Sequence, residues 1–446
     1  MSALSGVYTG LTLNEDAMQN LHSHKYYSNV YASFKDSHVS YEQYALRAEE
    51  LGHQVITSVE HGYQGNYLRC WETAKAHGLK FVYGVEAYWV RDRTQDDATN
   101  AHILILARNM DGIRQVNKML SVAARTGFYV KPRVDIALLK TLSPENVLVT
   151  TACVAFWGKP AHGEDTNSDP LKWHYGDASS GEVDNVFLDL LSHFGSSLYL
   201  EVQAHNTDWQ KAVNLHCLHL HYQYNVPLIL GLDSHYIYPE QRAERQILRE
   251  EAGAKRIDED FEFDAEVYED YPDEQTVIAR FRAQGVLNEE EIAEAIASTD
   301  IALTFDDIEF DTSRKLPRTY RGMDSEQCAK EYERRIRERF AEYAKNLPPE
   351  EAKRRWDDMW AQEVKPVIDE GQAVYFLLNS DLVELGKKLG GTYTNSGRGS
   401  AGSFFSNKLM GLTGLDRFEL PVTLYPGRFM TPERLKTSIP DRRLCI

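Results

Sequence analysis

Pro227-Leu228-Ile229-Leu230-Gly231-Leu232-Asp233-Ser234-His235 is an apolar run that ends in a carboxylate and an imidazole. A run this short, rich in branched aliphatics, reads as a buried strand, and the polar pair stands where the strand would emerge. The same plan recurs upstream. Runs at 17–21, 54–59, 80–85, 147–151 and 198–203 are followed by His22 and His24, by Glu60 and His61, by Glu86, by Cys153 and by His205. The run at 102–107 instead begins with its polar residue, His102, which predicts a strand of opposite direction. The connection from 89 to 101 reads poorly as a helix and suits a hairpin.

Between these runs, residues 40–51, 66–77, 111–124 and 209–224 carry helical spacing, with Ser40 as an N-cap. Alternating strands and helices predict a parallel-rich α/β layer or barrel. In a (β/α) barrel the C-terminal strand ends converge on one face. That geometry would gather His22, His24, Glu60, His61, Glu86, His102, Cys153, Asp233 and His235 into one metal site. Imidazole, carboxylate and thiolate together suit zinc, manganese or iron rather than calcium or magnesium. Nine ligands exceed what one tetrahedral ion needs, so two or three divalent ions are expected. Closely spaced ions make a hydroxide near neutral pH and neutralise a phosphate under attack. Read singly, His53, His77 and His193 are ordinary core or helix-end residues, and His216, His219 and His221 read as packing on one helix.

Histidine usage supports this division: all fifteen lie between His22 and His235. The formal charge of −18 argues against nonspecific coating of nucleic acid, which needs lysine and arginine. Five widely spaced cysteines do not form a disulfide framework and fit a reducing cytoplasm. No apolar run reaches the ~18 residues of a membrane span, and residues 1–6 have no signal-peptide character.

Residues 158–185 are polar and rich in Gly, Asp and Ser, as in a surface insertion. Beyond Tyr238 the pattern changes, and a domain boundary is placed at 275/276. Helical spacing then covers 325–346 and 350–370, broken at Leu347-Pro348-Pro349. Tyr375-Phe376-Leu377 precedes Asn395-Ser396-Gly397-Arg398-Gly399-Ser400-Ala401-Gly402-Ser403. This Gly/Ser turn has neither the Walker lysine nor the Rossmann spacing. It does offer backbone N–H groups, Arg398 and serine hydroxyls as a phosphate cradle.

The motifs Leu21-His22-Ser23-His24, Ser58-Val59-Glu60-His61-Gly62, Tyr83-Gly84-Val85-Glu86, His102 through Asn109, Cys153 and Leu232-Asp233-Ser234-His235-Tyr236 resemble the polymerase and histidinol phosphatase (PHP) domain. Their order is similar to that in family C bacterial replicative DNA polymerases. The resemblance implies a seven-stranded α/β barrel holding up to three metals, with metal-dependent 3′–5′ exonuclease or phosphoesterase activity in some members and a structural role in others. It also implies DNA as substrate, with a proofreading exonuclease and a sliding clamp as replisome partners. Two departures stand out: Glu60 occupies a usual Asp position, and Tyr31 falls where another ligand is common.

The second half resembles the polymerase β-like palm of the same family. Gly397, Arg398, Gly399, Ser400, Gly402 and Ser403 match its nucleotide-binding motif, and Leu424 through Arg434 continue the match. After Asp441, however, Arg443 and Cys445 stand where the family places aspartates for catalytic Mg²⁺. The third palm carboxylate, thumb and fingers are also absent. An incomplete palm is therefore expected: deoxynucleoside triphosphate and Mg²⁺ would act only in a completed one, and this chain alone would not synthesise DNA. A stand-alone small-molecule phosphatase is the remaining alternative.

Overall fold

The computed structural model describes residues 18–30, 36–97, 101–157, 180–251, 266–313, 317, 319–392 and 399–437, apart from the side chains of 180–184, 251 and 437. The chain forms two compact units, Met1–Phe310 and Asp311–Ile446.

In the first unit α1 (Tyr41–Leu51), β1 (Val55–Ser58), α2 (Tyr67–His77), β2 (Lys80–Trp89), β3 (Ala101–Ala107) and α3 (Met110–Thr126) come first. A ribbon of β4 (Phe128–Tyr129) and β5 (Lys131–Val134) follows, then α4 (Ile136–Leu139), β6 (Val147–Thr150), α5 (Ser180–Phe194), β7 (Leu198–Val202), α6 (Asp208–Tyr224) and β8 (Leu228–Leu230). Three more helices, α7 (Arg242–Glu251), α8 (Glu274–Gln284) and α9 (Glu289–Ala297), complete it. Ser40 caps α1, with Gln43 closing the capping box.

The strands form one mixed sheet. β2 pairs with β1 in parallel at its start and with β5 in parallel at its end. β3 lies antiparallel to both β2 and β6, as the hairpin reading required. β6, β7 and β8 continue in parallel. The expected first strand at 17–21 does not form. Instead Ser23 bridges Ser234 in parallel, with His24 N–H donating to Ser234 O at 2.7 Å. On its other side Lys25 Nζ donates to Thr57 O at 2.7 Å. Side chains make this second seam, so no regular ladder joins β8 to β1 and the curled sheet is a half-barrel. Eight strands result, because the β4–β5 ribbon adds two that apolar periodicity did not announce.

Both sheet faces are buried, which explains the continuous apolar runs. Ile103 and Ile105 face the helices with Val85, Val149 and Leu200, whereas Leu104 and Leu106 face inward with Leu21, Val55, Val82 and Ile229. Period-two alternation then places His102 inward, two residues before Leu104, and Glu86 inward, four after Val82.

Helices α8 and α9 contribute Phe281, Ile292 and Ile296 to the core that contains the sheet. Ala302 and Phe305 pack with the inward cluster. The compact units divide at 310/311, because these apolar faces bury in the core of the first unit. The polar insertion falls largely on 158–179, outside the described residues.

In the second unit α10 (Ser325–Ala344) is followed by α11 (Pro349–Met359), a π-helical turn (Trp360–Val364), α12 (Lys365–Asp369), α13 (Ala373–Lys388), α14 (Phe405–Leu409) and α15 (Pro432–Thr437). Among its described residues a single bridge, Tyr320 to Met323, is the only β pairing. Tyr332, Ile336, Phe376, Leu377, Phe404 and Met410 form its core. The π turn carries Glu363 inward, where it accepts from Ser406 N–H at 2.7 Å and Arg417 Nε at 2.8 Å.

Candidate metal centre

Eight of the nine expected side chains converge at one rim of the barrel. Three overlapping groups have their ligand atoms within 4.8 Å of one another: His22, His24 and Glu86; His61, Glu86 and His102; His24, His61 and His235. Glu86 joins two of them and is fully buried. Asp233 adds Oδ1 at 3.2 Å from His24 Nε2. Cys153 places Sγ 3.4 Å from His102 Nδ1. Both Asp233 and Ala152, just before Cys153, take positive φ (45° and 48°), so the chain turns sharply as strands β8 and β6 end.

Glu60 is the exception. Its Oε2 accepts from Ser28 Oγ at 2.5 Å and from Lys25 N–H, and its Oε1 accepts from Tyr41 OH at 3.0 Å. It acts on the cluster from behind, because Ser28 Oγ also meets His24 Nδ1 at 3.0 Å. The longer carboxylate thus orients a ligand instead of joining the set. Tyr31 lies outside the described residues.

Asp36 is the residue that strand periodicity missed. Its Oδ2 lies 2.8 Å from His61 Nε2 and 2.9 Å from His235 Nε2. Arg245 donates to its Oδ1 at 2.8 Å and also pairs with Glu269. Asp36 stands in an irregular segment, so no periodicity could mark it. Glu201 was also missed: its Oε1 accepts from His22 Nδ1 at 2.7 Å and its Oε2 from Thr150 Oγ1 at 2.5 Å. Its strand position was readable, but its inward direction was not. Gly231 makes room for it, since a Cβ there would fall 1.8 Å from Glu201 Oε1.

The proton inventory decides what this arrangement can hold. His22 Nδ1 donates to Glu201, and His24 Nδ1 donates to Ser28, whose own proton goes to Glu60. Both Nε2 atoms are then lone pairs, yet they face each other at 3.2 Å. His235 Nδ1 donates to Asp233 O at 2.8 Å, which turns its Nε2 lone pair toward the Asp36 carboxylate. Two acceptors this close need a cation or an extra proton between them. Nitrogens sharing a tetrahedral ion at ~2.05 Å are roughly 3.3 Å apart. The Glu86 oxygens face imidazole nitrogens, His61 Nδ1 at 2.8 Å and His102 Nδ1 at 2.9 Å, and Asp233 Oδ1 faces His24 Nε2, while His102 Nε2 is buried without a hydrogen bond. These residues fit divalent cations, with Glu201, Ser28 and Glu60 orienting the rings.

Without a cation, protons fill part of these gaps. Burial pushes the Glu86 carboxyl up, but His102, His22 and His61 overcome this and hold it well below its usual range. Burial opposes charge on His61 too, yet Glu86 and Asp36 raise it to about 10. His22 is likewise raised against burial by Asp233, Glu201 and Glu86. Burial raises Asp36, but His235 and Arg245 hold it well below normal. The Cys153 thiol is pushed up by burial and by Glu86. A cleft of about 570 Å³ reaches His61, His102, Cys153, Asp233 and His235.

Among the described residues several other histidines bond away from the cluster. His53 meets Tyr271 OH, His193 meets Leu142 O, and His221 meets Val226 O. His205 is buried at the cleft, and burial holds it down at about 4. In the second unit Gly397 and Arg398 lie outside the described residues, as do Asp441, Arg443 and Cys445. Gly399 takes φ +85°, Ser400 begins a 3-10 turn, Gly402 packs on Leu415, and Ser403 Oγ is buried without a partner among the described residues.

Residues 20–205 match the PHP domain, and residues 326–442 match the bacterial DNA polymerase III alpha NTPase domain. Over 95% of its length the chain is 27% identical to DNA polymerase III subunit alpha of Aquifex aeolicus. It is 24% identical to that of Helicobacter pylori over a similar share. Each alignment covers 35% of the relative, so the chain spans about a third of the length of the curated relatives it matches. A Bifidobacterium adolescentis structure named as a metal-dependent phosphoesterase is 15% identical, covering 48% of this chain and 87% of that one, with a TM-score of 0.29. Among the described residues no helix is long and apolar enough to cross a membrane.

Proposed function

We propose that this chain, which joins a PHP domain to a DNA polymerase III alpha NTPase domain, is a metal-dependent phosphoesterase that trims DNA from its 3′ end. The observation that carries the reading is the pairing of acceptors: His22 Nε2 against His24 Nε2, and His235 Nε2 against Asp36 Oδ2. Such pairs are stable when divalent cations stand between them. We assign His22, His24, His61, Glu86, His102, Cys153, Asp233 and His235 as ligands, together with Asp36. Zinc, manganese or iron bound there would supply hydroxide near neutral pH and charge neutralisation at phosphorus. Arg245 balances the Asp36 carboxylate, Glu201 holds His22 in one tautomer, and Glu60 does the same for His24 through Ser28.

End-labelled single-stranded DNA incubated with the purified chain and Mn²⁺ or Zn²⁺ tests this. We expect shortening from the 3′ end that EDTA abolishes and His24→Ala lacks. A metal-loaded protein that cleaves nothing would reject it. A structural reading is favoured by one observation: the Ser23–Ser234 bridge joins the two histidine-bearing ends of the first unit. In that case metal would stabilise the barrel, which docks the polymerase or its proofreading and clamp partners, without cleavage.

For residues 311–446 we propose a deoxynucleoside triphosphate cradle at Gly397–Ser403 that is inert for synthesis without further carboxylates. Primer extension by this chain with Mg²⁺ would contradict that. The setting we assign is the cytoplasm, where unpaired Cys70, Cys153, Cys217 and Cys328 are at home.

A further inference from the structure

His205 stands outside the nine expected ligands but lines the same cleft, with Trp209, Gln203 and Asp233. Its tautomer is fixed by the backbone. The N–H of Tyr268 donates to His205 Nδ1 at 3.0 Å, so Nδ1 is a lone pair and the neutral ring carries its proton on Nε2. A nitrogen that holds a proton cannot ligate a cation; it can only donate. Among the described residues His205 makes no other side-chain hydrogen bond. Gln284 Nε2, at the end of α8, donates to the carbonyl of His205 and to that of Gln203 at 3.0 Å, so the backbone here is pinned from α8.

Trp209 lies in the first turn of α6 and is half-buried. Its inner side packs on the core of the first unit while it also lines the cleft. The cleft therefore sets a neutral N–H donor and a flat aromatic surface next to the metal cluster. A phosphate oxygen suits the first and a nucleobase suits the second.

We propose that His205 and Trp209 form a nucleotide subsite, in which His205 Nε2–H donates to a non-bridging phosphate oxygen and Trp209 stacks on the base of the terminal nucleotide. This rests on the phosphoesterase reading and adds the residues that would hold the terminal nucleotide of its substrate, beside the metal ligands.

The test is calorimetric titration of the zinc-loaded full chain with inorganic phosphate and with thymidine 5′-monophosphate. In His205→Asn the amide oxygen replaces Nδ1, so Tyr268 keeps its acceptor, while the donor no longer reaches the cleft. Both ligands should weaken by about ten- to hundredfold, with zinc content by elemental analysis unchanged. Trp209→Leu should weaken the nucleotide about tenfold or more and leave phosphate unchanged. The wild-type preference for nucleotide over phosphate would then collapse. Wild-type affinities in both variants would overturn the subsite and leave the phosphoesterase reading intact. A loaded wild-type chain that binds neither ligand would overturn both. The Trp209 arm stands by itself if His205→Asn does not fold.

Discussion

Asp36 Oδ2 lies 2.8 Å from His61 Nε2, although Asp36 stands in an irregular segment and His61 follows β1. The same oxygen reaches His235, and Arg245 holds the other side of the carboxylate. Asp36→Ala removes this junction and the carboxylate partner of Arg245 at Asp36, leaving its bonds to Glu269 and to the backbone carbonyl of residue 36. It should cost about 3–5 kcal/mol, as breaking a buried pair does, and lower metal content. Denaturant unfolding with elemental analysis checks both; unchanged metal content would mean that Asp36 is not a ligand.

Zinc or manganese should raise the melting temperature strongly. At a hundredfold excess over its dissociation constant a ligand adds about 2.7 kcal/mol, or roughly 5–10 °C for a domain of this class. His22→Ala should remove most of that shift. Thermal denaturation with and without chelator reads the effect directly.

The metal-free protein should lose stability on the alkaline side. The folded-state value for His61 is raised to about 10, above its unfolded value. Its contribution is therefore complete below about pH 6.5 and is lost as pH rises toward 10. Zinc displaces that proton, so metal affinity should strengthen with pH over the same range. Chemical unfolding of the chelated protein at pH 7 and pH 9.5 should show the loss, and His61→Gln should flatten it.

Glu60→Gln separates orientation from ligation. Its carboxylate bonds to Ser28, Tyr41 and Lys25 N–H. The variant should keep its full metal content while binding weakens about 10–100-fold, as losing an orienting partner does. Loss of one whole equivalent of metal would instead make Glu60 a ligand.

In the second unit Arg417→Met leaves Glu363 buried without its cation. A loss of about 3–5 kcal/mol is expected. Burial already raises Glu363 against the pull of Arg417. The lone carboxyl will therefore take up a proton more readily, and the variant should regain part of its stability as pH falls from 8 to 5. Trp356 and Trp360 report this unit by fluorescence.

Most of the site was readable because period-two strands deliver their last residues to one rim. His61, Glu86, Cys153, Asp233 and His235 were reached this way, the early position of His102 correctly signalled a reversed strand, and His22 and His24 were placed by an apolar run that forms no strand. Asp36 was not readable, since an irregular segment has no period. Glu60 was expected among the ligands, and its contacts are with Ser28, Tyr41 and Lys25, because a strand end gives position but not which partner a long carboxylate meets. The first strand dissolved into a bridge because side chains, not backbone, complete its second seam. The compact units divide at 310/311 because the apolar faces of α8 and α9 pack into the core of the first unit, which local composition does not reveal.

The Ser23–Ser234 bridge has a consequence for biosynthesis. The first histidines leave the ribosome early, but their seam partner and the Asp233–His235 pair are made more than two hundred residues later. Until then the nascent chain exposes His22 and His24 with an unpaired edge and an open pocket mouth. On the proposed metal reading, cation capture is a late event coupled to the docking of the last strand, and a chain stalled before residue 235 would be a substrate for chaperones.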